Sequence, residues 1–598
     1  MKFLRVSLLF LTTVAVHAQI VVNEIMYNPL SHDAREEWVE LLNVSATNVN
    51  LSGWTISGGI DFTFPNRILG PGQYLVVAAH QPTFASKFPA VANVVGSWLN
   101  IGILSVNGRG ITNFAPVLSN SRNSINLNNA AGDRVDGVTY ADTGDWAVRR
   151  LEPPNGSAPR AWGWYTGADG GGCSLELRNP ALPNEYGQNW LQSPTNGPTP
   201  GRVNVANTNN IPPMVVDVAH APIIPRSTDP ITIIARVIDE APASLTVNLF
   251  YRVDSASPPA FSSVQMFDDG NHHDASPNDG IYGITLSPMT NNILVEYYVE
   301  ARDAGGRVRS WPGLSADAPT PHSANAMFQV DDVTYSGVPP TYKLIMTTAQ
   351  QNDLGTLFNN FAQSDNEVNA TFISIDATGV DLRHLCGVRN RGHGSRTANP
   401  HNYRIDFPDD DPWKDLTGFN INAQVVPAQV VGAAIAQKAG VAGNRSRFVQ
   451  LRVNNGGGPG GTPASGLYAG NEDISGTWAE RQFPNDSGGN SYAVYRDVAP
   501  PNFSYRGEDA NSYRNTYFKQ SNVAEDDWQD LMGMLYVIGE NQTNFFDVDA
   551  ARAVINVEQW LLHFAVMNIF GNNETGLNTG YNDDYDLYRG LSDPRFVL

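Results

Sequence analysis

Two stretches of the chain carry residue types at spacings that could do chemistry. The run from Asp268 to Gly280 crowds carboxylates and amides onto a turn (Asp-Asp-Gly-Asn-His-His-Asp-Ala-Ser-Pro-Asn-Asp-Gly). Asp268, Asp269, Asp274 and Asp279 supply the oxygen ligands that Ca²⁺ prefers, and glycine permits the bend. No Glu stands at the twelfth position, so the spacing is not that of an EF-hand. A solvated turn whose carboxylates cap its own amides satisfies the same residues. His272 and His273 are adjacent and would point opposite ways on a strand, which argues against a zinc pair. The second stretch groups Arg389, Arg391 and Arg396 with Gly392 and Gly394. Guanidinium groups and open backbone amides suit anionic oxygens, as in a phosphate site; a basic hairpin balanced by acidic neighbours is the alternative. Neither a Gly-x-Ser-x-Gly elbow nor a His-Glu-x-x-His pair occurs, which leaves hydrolase chemistry with little support.

These residues must be positioned by several domains, since 598 residues exceed what one core serves. Gly at 54 and Pro at 39, with only 16% charged residues, favour short strands and many turns. A net charge of −21 argues against a nucleic-acid partner, which would require clustered Lys and Arg. Lys2 and Arg5, the apolar run Val6 to Val16 and the small residue Ala18 read as a secretory signal over 1–18, so the expected location is secreted or at the cell surface. No later segment is apolar and long enough for a transmembrane span. Cys173 and Cys386 stand far apart, and no disulfide is expected.

From 19 to 205 the pattern is all-β, with strands expected at Ile20–Ile25, Trp38–Leu41, Leu51–Ile56 and Tyr74–Val77. From 210 to 333 a second β-domain is expected, with strands at Ile231–Val237, Leu245–Tyr251 and Ile293–Ala301. Pro212-Pro213 and Pro339-Pro340 bracket it as stiff linkers. Beyond 340 the texture becomes α+β. A strand is expected at Tyr342–Met346, with a helix over Pro427–Ala439 that Gly440 stops. A second helix over Val557–Phe570 has Asn556 as N-cap and Gly571 as stop. Trp560, Leu561, Phe564 and Ile569 would give that helix a broad apolar face.

The blocks "VVNEIMYNP", "EEWVELLN", "LSGWTISGG" and "LGPGQYLVV", closed by "CSLELRNP" and "NWLQSPTNGPTPGRVN", resemble the lamin tail domain, an immunoglobulin-like fold. That resemblance implies a binding or spacer module. The 210–333 segment resembles an immunoglobulin- or fibronectin-type sandwich. From 340 to 598, "CGVRNRGHGSR", "NYRIDF", "FVQLRVNN", "GLYAGNEDI", "YAVYRD", "YFKQSNVAEDDWQDL" and "INVEQWLLHFAVMNIFGNNE" follow in order and resemble the CotH kinase family, distant relatives of protein kinases. The fold class expected is therefore multidomain: two immunoglobulin-like sandwiches and an α+β atypical kinase-like domain.

This second resemblance implies transfer of the γ-phosphate of ATP, with Mg²⁺ or Mn²⁺, to a hydroxyl of a protein substrate. It places Arg391, Arg396, Arg404, Glu472 and Arg496 toward the nucleotide, although Arg404 is only the nearest cation where the family has Lys. Glu472 would pair with a phosphate-facing cation or form a structural salt bridge. Glu574 takes the position of the catalytic Asp, and Asp584 that of a metal-binding Asn, after an inserted stretch; an acidic surface loop is the other reading of that block. The family usually continues past "PRF" to an Asp-x-Asp strand, so the sequence is read as a fragment that lacks a principal metal carboxylate. The alternatives are a non-catalytic surface or coat scaffold and a calcium-stabilised adhesin, each with a surface partner in place of a substrate.

Overall fold

The structure, a computed structural model, describes residues 19–106, 109–152, 159, 161–316, 323–361, 364–392, 394–454, 467–494, 503–514, 516–523, 526–539, 547–571 and 585–598. The proposed signal segment, Arg496, Glu574 and Asp584 lie outside them. The molecule is multidomain and mostly β, with eight helices among the described residues. None of those helices is long and apolar enough to cross a membrane.

The first unit places a six-stranded sheet against a four-stranded one. Ile20–Met26 sits at the centre of the larger sheet, flanked by Trp38–Asn43 and Leu175–Leu177, with Tyr74–Ala78 and Trp190–Gln192 beyond them. The smaller sheet is built on Arg122–Asn128 and Arg134–Ala141, and Ile25, Leu41, Leu127 and Val138 share one core between the two. The strand expected over Leu51–Ile56 is broken. Trp54 N donates to Leu51 O at 2.9 Å, and Gly53 turns the chain at φ +74°, so Val49–Asn50 and Thr55–Gly58 join different sheets. The second unit is also a sandwich. Along Ile231–Ile238 the alternation is strict, with Ile231, Ile233, Ala235 and Val237 pointing into the core.

Beyond residue 340, seven strands close into a barrel. They run Thr341–Ile345, Val368–Asp376, Gly379–Asn390, Tyr403–Asp406, Gly418–Asn422, Leu467–Glu472 and Ser446–Val453, and the last pairs in parallel with the first. Tyr342, Phe372, Val388, Trp413 and Phe419 fill its interior. The helix Val426–Ala439 packs on two of these strands and ends at Gly440, φ +86°, whose N–H reaches back into the last turn. A smaller unit follows, in which a three-stranded sheet of Phe518–Lys519, Asn490–Val494 and Tyr585–Arg589 packs with the helices Gln529–Ile538 and Val557–Phe570. Asn556 caps the latter helix through Gln559 N at 3.2 Å, and Gly571 closes it. Its apolar face is narrower than the sequence suggests. Trp560, His563 and Val566 are buried, whereas Leu561 and Ile569 lie on the solvent side.

Polar contacts tie the three larger units together. Arg149 of the first unit donates to Asn369 Oδ1 at 2.6 Å and Leu385 O at 2.5 Å in the barrel. Asp254 of the second accepts from Thr348 N at 2.9 Å. Gln188 and Val215 exchange two hydrogen bonds between the two sandwiches, at 2.7 and 2.8 Å.

Candidate functional site

Antiparallel register lines up a polar row on the outside of the barrel. Arg389 stands opposite Arg404, Arg404 opposite Asn420, Asn420 opposite Asn471, and Asn471 opposite Ser446. Directly opposed residues share a face, and their neighbours Val388, Ile405, Phe419 and Ile421 fill the interior. Pleating therefore puts the row on the outer face of the barrel, where Asn420 and Asn471 are buried and Arg404 is largely covered. Three of the predicted nucleotide-side residues, Arg391, Arg396 and Arg404, gather at or beside it.

Each guanidinium already has oxygen partners. Arg404 lies between Asp406 and Asp473, at 2.7 Å from each. Burial alone would lower its pKa, but the two carboxylates outweigh that and hold it above the ordinary arginine value. Asp473 is held below the usual range, since Arg404 outweighs the effect of burial. Arg389 and Arg396 both donate to one oxygen of Asp365, at 2.7 Å each. Arg391 donates to Asn422 Oδ1 at 2.8 Å. Asn422 and Asn471 in turn donate to Gln429 Oε1 at 2.9 and 2.7 Å, which fastens the row to the helix Val426–Ala439.

Glu472 is placed otherwise than toward this row. Arg481 of the short helix Gly476–Gln482 grips it with two donors, one at 2.8 Å, and Arg445 N adds a third at 3.0 Å. Of the two roles open to it in the sequence, the geometry is that of a structural salt bridge. Its strand position explains this. Asn471 faces outward with the row, so Glu472 faces the other way.

The donor chemistry of the row fits phosphate oxygens. The carboxylate that bridges Arg389 and Arg396 marks where an anion would sit, and Asp365 is 68% exposed and so displaceable. For a metal ion the fit is poorer. Among the described residues, no group of three or more His, Cys, Asp or Glu side chains is arranged to hold one. In the 268–280 loop the carboxylates face donors. Asp274 accepts from Gly270 N at 2.6 Å and His272 N at 2.9 Å, Asp268 from Gly280 N at 3.0 Å, Asp279 from Ile281 N at 3.0 Å, and Asp269 from Asn271 N at 2.9 Å. As folded, the loop is a self-capped turn.

Sequence reasoning missed the acidic half of the site. Asp406 was within reach, because it follows Arg404 by two residues and so shares its face. Asp365 and Asp473 carried no such local signal, since only the barrel brings them to the row.

Comparison with known families matches residues 13–142 to the lamin tail domain and residues 388–598 to the CotH kinase protein family. No curated protein matches the chain significantly. Among solved structures, a marsupial T cell receptor aligns over 76% of this chain and 91% of its own, at 8% identity and a TM-score of 0.13.

Proposed function

For a chain that carries a lamin tail domain and a CotH kinase domain, we propose that it is an exported phosphotransferase whose β-domains hold and target the kinase domain. The observation that carries this reading is the outer row of arginines and amides on the barrel. It offers cationic, planar donors at one place in an otherwise acidic chain. Arg391, Arg396, Arg404 and Arg496 would contact the phosphates of ATP. Glu574 would accept the proton of a protein hydroxyl, and Asp584 would hold Mg²⁺ or Mn²⁺, which neutralises phosphate charge when bound. Arg404 can fill this role only while clamped by Asp406 and Asp473, which fixes the direction of its remaining donors.

A second reading has its own support. The arginines of the row are balanced by Asp365, Asp406 and Asp473, and Glu472 is taken by Arg481. A charge-balanced surface of this kind needs no nucleotide, and it suits a surface or coat scaffold.

Calorimetric titration of the full-length secreted protein with ATP and Mg²⁺ or Mn²⁺ separates the two readings. The kinase reading expects metal-dependent binding weakened by Arg391→Gln, and label transfer to protein that Glu574→Gln abolishes while binding persists. Absence of ATP binding with either metal overturns it and leaves the scaffold.

A further inference from the structure

Far from the barrel, the first sandwich holds three carboxylates in a single cross-strand row. Glu24 stands directly opposite Glu176 on one side and directly opposite Glu40 on the other. All three side chains are at 0% exposure. Like charges in direct register repel, and a buried charge ordinarily has an opposite partner. Among the described residues, no Lys, Arg or His forms an ion pair with any of them; the other titratable group facing the cluster is Tyr74, beside Glu40.

The hydrogen bonds show what these carboxyls hold. Glu24 accepts from Thr199 N at 2.8 Å, Thr199 Oγ1 at 3.1 Å and Ser174 Oγ at 2.6 Å. Glu40 accepts from Gly201 N and from Asn23 Nδ2, the latter at 2.9 Å. Glu176 accepts from Ala206 N at 2.7 Å and lies 2.9 Å from Thr199 Oγ1, whose single proton serves only one of the two carboxyls at a time. Asn204 sits between them and donates to Asn23 O and Leu177 O, at 3.0 and 2.9 Å. One segment, 199–206, is thus strapped across the sheet by three glutamates from three strands. The strap leads straight into Ile211 and Met214, which pack against Leu182 and Tyr186 at the junction with the second sandwich.

We propose that Glu24, Glu40 and Glu176 clamp the strap 199–206, and with it the junction between the two sandwiches, with protons shared by Glu24 and Glu40, and that the strap is released as Glu24 and Glu40 ionise. Neutral carboxyls satisfy the row without mutual repulsion and still accept from the strap. Full ionisation would bury three like charges side by side. Burial raises the Glu24 carboxyl from 4.5 to about 7, with Glu176 adding to the rise. Burial, and then the Glu24 charge, raise Glu40 well above its ordinary value. The sign follows. A carboxyl raised in the folded state stabilises the closed strap fully below the ordinary value near 4.5. That contribution fades as pH rises toward the raised folded values.

Hydrogen exchange of the full-length protein at pH 5 to 9 in EDTA, expressed as protection relative to intrinsic exchange, tests the clamp. Protection of 199–206 should fall by about tenfold per pH unit between 5 and 7 for each proton lost, while that of Ile231–Ile238 holds. Glu40→Gln and Glu24→Gln should flatten the slope. Protection of the strap that is independent of pH in the unaltered protein overturns the proposal, as does a parallel loss throughout the chain. Saturable restoration of protection by Ca²⁺ at pH 8 also overturns it, because a cation rather than protons would then neutralise the row. The unaltered protein decides the question even if a variant does not fold.

Discussion

Replacing Arg149 with Ala should loosen the first unit from the barrel. Arg149 is buried, donates to Asn369 Oδ1 and Leu385 O, and stacks on Trp164 with its guanidinium carbon 4.7 Å from the ring centre. Two bonds from a charged donor contribute about 1.5–3 kcal/mol each, and a buried cation–π contact about 1–2 kcal/mol. Against this stands the cost of keeping a guanidinium out of water. Burial lowers Arg149 from 12.5 to about 10, which corresponds to about 3.4 kcal/mol. The net contribution is then about 1–5 kcal/mol. For a unit of roughly this size that is a melting shift of about 2–20 °C. Scanning calorimetry should show the first unit melting earlier and apart from the rest. Arg149→Lys should recover little of the loss, since one ammonium cannot address two acceptors and the ring together. A transition within 1 °C of the parent for Arg149→Ala would refute the reasoning, because it would mean desolvation cancels the contacts entirely.

Three further outcomes follow from other buried groups. Thr371, His384, Tyr297 and His220 form a chain between the barrel and the second sandwich, at 3.0, 3.2 and 3.3 Å, with His220 also bonded to Ile223 O at 3.0 Å. Burial lowers His220 to about 4 and His384 well below its ordinary 6.5. A lowered base stabilises the fold above 6.5 and loses that contribution as pH falls toward 4, so acid should part these units, as followed by Trp311 fluorescence; unchanged fluorescence from pH 7 to 4 would count against the chain. Lys343→Met should cost about 3–5 kcal/mol in chemical denaturation, because it leaves Asp331 buried without its ion partner, and a loss under 1 kcal/mol would contradict that. In the 268–280 loop, burial would raise Asp274, but the amides of Gly270 and His272 outweigh it and hold its pKa below 3.8. Its contribution is therefore present above pH 3.8 and lost as pH falls below that. Asp274→Ala should destabilise by about 2 kcal/mol and EDTA should leave the melting temperature unchanged; a fall on EDTA would support the calcium reading.

Local signals in the sequence were the most legible ones. The Asn556 cap and the Gly440 and Gly571 stops depend on residues within one helical turn, and each is found where such chemistry puts it. Period-two alternation marked Ile231–Ile238 for the same reason. Legibility failed wherever distant register decided the outcome. Thr341–Ile345 pairs in parallel with Ser446–Val453 across about a hundred residues, so nothing local announces a closed barrel. Glu24 and Glu176 are 152 positions apart and read as ordinary polar strand residues until the sheet sets them side by side. Leu561 and Ile569 misled in the opposite direction: apolar type suggested core, but helix phase turned them to solvent.

The same distinction bears on the candidate site. A cluster of arginines in sequence looks like an open phosphate cradle, because acids that will neutralise it are scattered elsewhere. Folding brings Asp365, Asp406 and Asp473 to it, and the row becomes balanced. Balance is not closure, however. Asp406 and Asp473 hold Arg404 from two sides and orient it. Asp365 occupies the space between Arg389 and Arg396 with one exposed carboxylate, which a phosphate of higher charge can displace. Asp365 is the most exposed of the carboxylates on Arg389, which also faces Glu367 and Asp406, and Asp365→Asn should tighten ATP binding if the row is a nucleotide site. If the row is only scaffold, the same change should weaken the fold and bind nothing.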